Sequence, residues 1–230
     1  MSRRLIVAID GPAGAGKSTV ARHLAAHFEL LNLETGAMYR AFALKALRTG
    51  TSLDEAAALE TLASGTRIGL EPTPAGNRVL LDGEDVTGQV REPEVTQAAS
   101  KVSVHPAIRT WMVELQRQLG SAGGVVMEGR DIGTVVFPDA DLKFFLDASP
   151  EARSQRRYEQ TGGATASEVT PEAVLKELRE RDQRDRNRAE SPLRPADDAI
   201  LVDSTSLTLD QVLARIESIV QKRVADLAKV

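Results

Sequence analysis

An α/β fold with a mainly parallel central sheet flanked by helices is predicted from three observations. Short apolar runs alternate with amphipathic stretches along most of the 230 residues. A Gly-rich loop follows the first apolar run directly and leads into a helical pattern. Asp10, Glu128–Asp131, Asp147 and Asp203 all fall where apolar runs end. In a parallel sheet that gathers them at the C-terminal strand ends, where such folds hold ligands.

The elements follow in order. Leu5–Ile9 is long enough for one buried strand, and Val20–Phe28 reads as a helix with Val20, Leu24 and Phe28 on one face. Leu31–Leu33 is a short strand, and residues 37–49 form a helix offering Met38, Phe42 and Leu47 to a core. Glu55–Leu62 is a short Ala-rich helix. Arg67–Pro72 and Arg78–Asp82 read as an antiparallel hairpin around the turn cluster Thr73–Asn77, with Asp82–Asp85 as a second turn. This acidic turn lacks the carboxylate spacing of a calcium loop and reads as a solvated turn. Residues 94–120 are helical with a break at His105-Pro106, and Trp111, Leu115 and Leu119 share a face. Val125–Glu128 and Leu142–Asp147 are strands. Ser149-Pro150 and Thr170-Pro171 are helix starts, each an N-cap followed by proline at the first helical position. Gln160–Thr170 between them is small and polar and reads as a mobile loop. Ile200–Asp203 is the last strand, and Thr208–Gln211 is a capping box opening a C-terminal helix.

Composition sets the outer limits. The chain is 42% apolar and 27% charged, as expected of a globular protein with one core, with or without an insertion. A net charge of −4 gives no general attraction to nucleic acid or anionic membrane. Without cysteine there are no disulfides, thiol nucleophiles or Cys-based metal sites. No run approaches a membrane span and Met1–Arg4 leads straight into a strand, so no signal peptide is read and a cytoplasmic location is expected.

Gly11, Pro12, Ala13, Gly14, Ala15, Gly16, Lys17 and Ser18, with Thr19 after them, match the pattern G-x-x-x-x-G-K-[ST]. The chemistry requires these residue types. A polyphosphate must approach the backbone closely, so side chains are absent at the glycines. Successive N–H groups then line an anion site at a helix N-terminus. Lys17 supplies a cation, and Ser18 or Thr19 a hydroxyl for phosphate or Mg²⁺. Nucleoside triphosphate binding follows from the motif in this strand–loop–helix context.

Arginines form two constellations. In Arg179–Arg188, Arg181, Arg184, Asp185 and Arg188 share one helix face. A solvated, salt-bridged face is the ordinary reading of such a run. Here Asp interrupts it, and the stiff segment Ser191–Pro195 follows. Arg153, Arg156 and Arg157 share a face just before the polar loop, as expected of a lid closing over phosphates, though a wet helix face has the same pattern. His23 and His27, at i and i+4, lack the Glu of a zinc-protease motif and read as surface or half-buried histidines.

Five segments, in the family's order and spread over nearly the whole chain, resemble the bacterial cytidylate kinases (CMP kinases), P-loop nucleoside monophosphate kinases. They are Ile9–Pro12 with Gly14–Thr19, Thr35–Arg40, Glu128–Pro138, Phe145–Ser149, and the R-D-x-R-D-x-x-R pattern from Arg181 to Arg188. The G-R-D-I-G-T-V-V-F-P block is the most specific. The resemblance implies a single P-loop kinase domain over residues 1–230. It also implies an inserted antiparallel β subdomain binding the monophosphate, roughly 63–102, and a lid, roughly 154–170. It implies ATP-dependent phosphoryl transfer to CMP or dCMP, giving CDP or dCDP, with Mg²⁺, in a monomer with no nucleic-acid or membrane partner. By position, Thr35, Arg109 and Asp131 would read cytosine, and Arg40, Arg130 and Arg188 would hold the acceptor phosphate. Arg181 and Asp185 would contact the ribose, while Lys17, Arg153, Arg156 and Arg157 would neutralise the transferring phosphoryl. The chain departs at Glu34-Thr35, where members have Asp-Ser, at Glu128, where they have Asp, and at Ser18, which is Gly in some.

The chemistry of cytosine agrees. Its exocyclic amine suits Asp131 and Thr35 as acceptors, and its N3 and O2 suit Arg109 as donor. A regulatory GTPase is disfavoured, since N-K-x-D is absent and the D-x-x-G match at Asp85–Gly88 lies in the hairpin region. A kinase for UMP or shikimate, and a non-catalytic nucleotide sensor, remain alternatives from the residues themselves.

Overall fold

β1 (Ile6–Asp10) is the middle of a five-stranded parallel sheet in the computed structural model, which describes residues 4–73, 76–160, 170–227 and 229. β2 (Leu31–Glu34) and β6 (Val125–Gly129) lie on one side of it, β7 (Leu142–Asp147) and β8 (Ile200–Asp203) on the other, in the order β2-β6-β1-β7-β8. Alternation along β1 sends successive side chains to opposite faces. Val7 and Ile9 pack under α1 (Lys17–Phe28) and α8 (Leu209–Leu227), while Ala8 joins a second core under α2 (Thr35–Arg48), α3 (Ala56–Ser64), α4 (Pro93–Val102) and α5 (Pro106–Gly120).

The inserted segment is a separate three-stranded antiparallel sheet, β3 (Ile68–Thr73), β4 (Gly76–Leu81) and β5 (Glu84–Asp85). It has one strand more than expected, because Glu84-Asp85 pairs with Leu80-Leu81 instead of closing a turn. Leu70, Val79 and Leu81 join the α2 core. Lys45 on α2 bonds Asp82 at 2.8 Å, and Arg48 holds Glu84 through two bonds of 2.8 Å. The acidic turn is therefore occupied by cations of the chain itself.

The expected helix starts are present. Ser149 Oγ accepts from Ala152 N at 3.1 Å at the head of α6 (Pro150–Gln160), and Thr170 Oγ1 from Ala173 N at 3.2 Å before α7 (Pro171–Asn187). Thr208 and Gln211 exchange bonds of 3.0 and 3.3 Å as a capping box. α1 begins at Lys17, inside the Gly-rich motif and earlier than its apolar face suggests, because Gly16 takes a left-handed φ of 96° as the cap. The polar loop read between α6 and α7 lies, over residues 161–169, outside the described residues. Among the described residues, no helix is long and apolar enough to cross a membrane.

Two fixed points hold the Gly-rich loop to the sheet. Gly11 has φ 145°, and a Cβ there would lie 2.0 Å from the Leu146 carbonyl oxygen of β7, so glycine is required by the sheet as much as by a ligand. Asp10, fully buried, accepts from Ile132 N at 2.8 Å and Gly133 N at 2.7 Å. These are the first N–H groups of a five-residue π turn, Ile132–Val136, that follows β6.

Gly11→Ala should therefore lose more than about 3 kcal/mol of stability, since strain and a backbone clash add. Gly83→Ala, at φ 90° with open space around its Cβ, should lose only about 1–2 kcal/mol. Urea unfolding of the two variants checks the difference, and equal losses would contradict the contact with Leu146. Burial pushes the Asp10 carboxyl up to about 7, against the two N–H groups that favour its charge. An unfolded Asp titrates near 4. Between these values the folded chain holds a proton that the unfolded chain has released, so this group's contribution falls as pH rises from about 4 to about 7. The stability of wild type minus that of Asp10→Asn should shift toward wild type from pH 8 to pH 5, by at most about 1.4 kcal/mol per unit. Paired urea titrations across that range check it, and a constant difference would contradict it.

Candidate active site

The C-terminal strand ends open into a cleft of about 390 Å³, lined by the Gly-rich loop, α1, α2, α4, α5, the end of β6, and α7. Cations outnumber carboxylates nine to five among its lining residues, in a chain whose net charge is −4. The excess positive charge is thus local, as a polyanion site requires.

On the loop side, Lys17 is buried and donates to Pro12 O at 2.7 Å. Burial brings its ammonium down to about 7, with Arg130 adding to the effect. Ser18 Oγ donates to Glu128 Oε1 at 2.6 Å. Burial raises the Glu128 carboxyl, and Lys17 opposes the shift. Glu34 is the cross-strand neighbour of Glu128 and receives Arg40 Nη2 at 2.5 Å. A hydroxyl and a carboxylate beside the phosphate loop are the hard oxygen donors that suit Mg²⁺.

On the opposite side, Arg109 of α5, only 2% exposed, is ion-paired with Asp131, and its Nη1 donates to Ser103 O at 3.2 Å. Its guanidinium lies 5.6 Å from the Tyr39 ring centroid. Thr35 Oγ1 donates to Glu128 O at 2.8 Å, which leaves its lone pairs as acceptors. Asp185 receives Arg130 Nε at 2.9 Å and lies 3.6 Å from Arg188 Nη1. Burial would raise the Asp185 carboxyl, but Arg130, Arg181 and Arg188 together hold it below the ordinary range. Burial and Arg130 bring the Arg181 guanidinium down to about 10. Arg40 Nε, Arg109 Nε, Arg181 Nε and Arg188 Nη2 are buried with no hydrogen-bond acceptor, so the network has donor capacity to spare.

The cleft thus brings together Ala13, Gly14, Lys17, Ser18, Thr35, Arg40, Arg109, Arg130, Asp131, Arg157, Arg181, Asp185 and Arg188. It does not bring in the whole arginine trio of α6. Arg153, 1% exposed, donates to Ala148 O at 2.8 Å, Ala13 O at 3.0 Å and Asp182 Oδ2 at 2.6 Å. It fastens the Gly-rich loop to α7. Arg156 donates to Ser204 Oγ and Ser204 O, away from the cleft. A shared helix face indicates a common direction, but whatever packs there first takes up the guanidinium, and α6 sits directly against the loop and α7. On α7, Arg184 lies on the predicted face but spends its Nε on Ser100 Oγ of α4 at 3.1 Å. His23 and His27 lie on the far side of α1, where Glu217 of α8 meets them at 2.8 and 3.4 Å. Among the described residues no group of His, Cys, Asp and Glu has the arrangement of a metal centre. Sequence reasoning passed over Tyr39, Ser100 and Ser103 as cleft walls and Asp10 as a buried acceptor. The one available signal for Asp10 was an acid closing an apolar strand.

Comparison with known proteins gives the family. The family model for cytidylate kinase matches residues 7–222. A cytidylate kinase from Syntrophotalea carbinolica is 46% identical over 223 residues, covering 97% of this chain and 94% of that protein. One from Pelotomaculum thermopropionicum is 52% identical over 211 residues, covering 91% and 93%. Among solved structures, an uncharacterized protein from Eubacterium ventriosum shares the fold, with TM-score 0.50 at 16% identity over 95% of this chain and 99% of that one. With a Gly-rich loop facing an arginine-rich wall across one cleft, and relatives matching almost end to end, the chain belongs to the cytidylate kinase family.

Proposed function

We propose that this enzyme transfers the γ-phosphoryl group of ATP to CMP and dCMP, giving CDP and dCDP. The observation that carries the reading is the buried Arg109–Asp131 pair across the cleft from Lys17. A carboxylate and a guanidinium side by side match the amine and the N3/O2 edge of cytosine, and Thr35 adds a second acceptor. Arg40, Arg130 and Arg188 take the acceptor phosphate. The unsatisfied nitrogens of Arg40 and Arg188, with that of Arg181, find acceptors in its oxygens. Arg181 and Asp185 take the ribose. Gly11, Pro12, Ala13, Gly14, Ala15, Gly16, Lys17, Ser18 and Thr19 cradle the ATP phosphates.

Transfer of this kind relies on positioning and charge neutralisation, without a covalent nucleophile. Lys17 and Arg157 neutralise the transferring group, and Arg153 holds the loop they act through. Ser18 and Glu128 would hold Mg²⁺, which supplies charge neutralisation on the phosphates when bound with ATP. The insert, roughly 63–102, presses the acceptor side through α2 and α4. Initial rates with ATP against CMP, dCMP, UMP and shikimate test the reading, and turnover confined to another acceptor, or none, would overturn it.

Lys17→Met should lower kcat roughly a hundredfold or more while the protein stays folded, because a preorganised cation at the reacting phosphate is lost. Circular dichroism and steady-state rates check it, and near wild-type turnover would remove Lys17 from the chemistry. UMP presents a carbonyl where CMP has its amine, setting two acceptors face to face, at a cost of about 1–3 kcal/mol per unpaired group and more for a charged one. The kcat/KM preference for CMP over UMP should be at least about a hundredfold. Asp131→Asn should narrow it, mainly by losing CMP activity. Measuring both acceptors in both proteins decides, and an unchanged ratio would show that Asp131 does not read the base.

A further inference from the structure

The base-reading carboxylate sits at the start of a turn that is gripped at both ends by charges outside the cleft. The Asp131 carbonyl accepts from Val135 N at 2.9 Å and Val136 N at 3.1 Å, and the Ile132 carbonyl from Phe137 N at 2.7 Å. These bonds close the π turn over Asp131 and fix its backbone. At the N-terminal end of the turn, the Asp10 carboxylate of β1 accepts from Ile132 N and Gly133 N at 2.8 and 2.7 Å. At its C-terminal end, Arg117 of α5 donates Nε to Val136 O at 3.1 Å and Nη2 to Val135 O at 2.6 Å. An anion at the N–H end and a cation at the carbonyl end are the signs that the turn's aligned peptide dipoles favour. Neither residue lines the cleft. There is little slack in the mount, since a Cβ at Gly133 would lie 3.1 Å from Lys143 Cδ and 3.4 Å from Asp10 Oδ2.

We propose that Asp10 and Arg117 are positioning residues for acceptor-base selectivity, clamping the Asp131–Phe137 turn so that the Asp131 carboxylate is held at the base. The proposal rests on the reading of Asp131 as the acceptor for the cytosine amine. Asp10 also directly precedes Gly11, so one side chain ties the base-reading turn to the root of the phosphate loop. A displacement of about 1 Å at a reacting or recognising group can cost on the order of a hundredfold in rate. A loosened mount should therefore appear in selectivity before it appears in the fold.

The test measures kcat/KM for CMP and UMP, and KM for ATP, in wild type, Asp10→Asn, Arg117→Met, Arg117→Lys and Asp131→Asn. Asp10→Asn sets an amide N–H against one of the two turn N–H groups, and should narrow the CMP:UMP ratio about tenfold, through KM for CMP. Arg117 is exposed, so Arg117→Met should fold, and it should narrow the ratio about threefold, with Arg117→Lys restoring most of it. KM for ATP should stay within about twofold in the Arg117 variants and in Asp131→Asn, which general loosening of the fold would not predict. An unchanged ratio in folded Asp10→Asn and Arg117→Met, with Asp131→Asn altering it, would overturn the clamp while leaving the base reading intact. If Asp10→Asn does not fold, Arg117→Met and its Lys rescue decide alone. An unchanged ratio in Asp131→Asn would overturn the base reading and the clamp with it.

Discussion

Arginine cannot be buried unpaired, and most of the cleft follows from that constraint. Arg109, Arg130, Arg153 and Arg188 are each held by a carboxylate: Asp131, Asp185, Asp182 and Asp185 respectively. Asp131 follows β6 and the other two acids lie on α7, so the Arg109, Arg130 and Arg153 pairs stitch together separate elements, while Arg188 closes onto Asp185 three residues before it. Removing one partner of such a pair leaves a charge buried alone, typically at a cost of roughly 3–5 kcal/mol. The pairs are thus poor places to look for added stability but effective at fixing geometry. Arg109 Nε and Arg188 Nη2 also remain without an acceptor, so part of this scaffold of ion pairs keeps donor capacity facing the cleft.

The same charges divide the labour between the two sides of the cleft. On the side of the Gly-rich loop, Lys17 is buried against the loop backbone, and Arg153 anchors the loop by its Ala13 carbonyl while reaching Asp182 on α7. On the opposite side, α2 carries Thr35 and Arg40 and is bound to the inserted sheet by Lys45–Asp82 and Arg48–Glu84. The inserted sheet shares its core with α2 and α4, and so the wall behind that side of the cleft is one packed unit. Asp10 stands where the two halves meet, at the end of the central strand.

Much of this was legible in the chain itself. The parallel sheet, the caps at Ser149, Thr170 and Thr208, the Gly-rich loop and the shared face of α7 are local patterns. Spacing, periodicity and capping chemistry act over a few residues, and the sequence records them directly. Arg181, Asp185 and Arg188 share a cleft wall because the 100° step of a helix places them together. The third strand of the insert and the start of α1 at Lys17 were less legible, being set by pairing partners and by one left-handed glycine.

What only the tertiary structure decided is which partner each charge finds. Arg153, Arg156 and Arg157 read alike along the helix, yet only Arg157 lines the cleft, because the loop, α7 and the end of β8 lie against the other two. Gly11 reads as a concession to phosphate, whereas the Leu146 carbonyl already forbids a side chain there. Asp10 and Ile132 are joined by a carboxylate across 122 positions of sequence. Hydrogen bonding and desolvation are contact properties that depend on what is within about 3 Å, and no periodicity along the chain encodes it. The sequence by itself therefore determined the elements and the chemistry assembled at one sheet edge, and the packing of those elements decided which side chains meet the ligand and which hold the others in place.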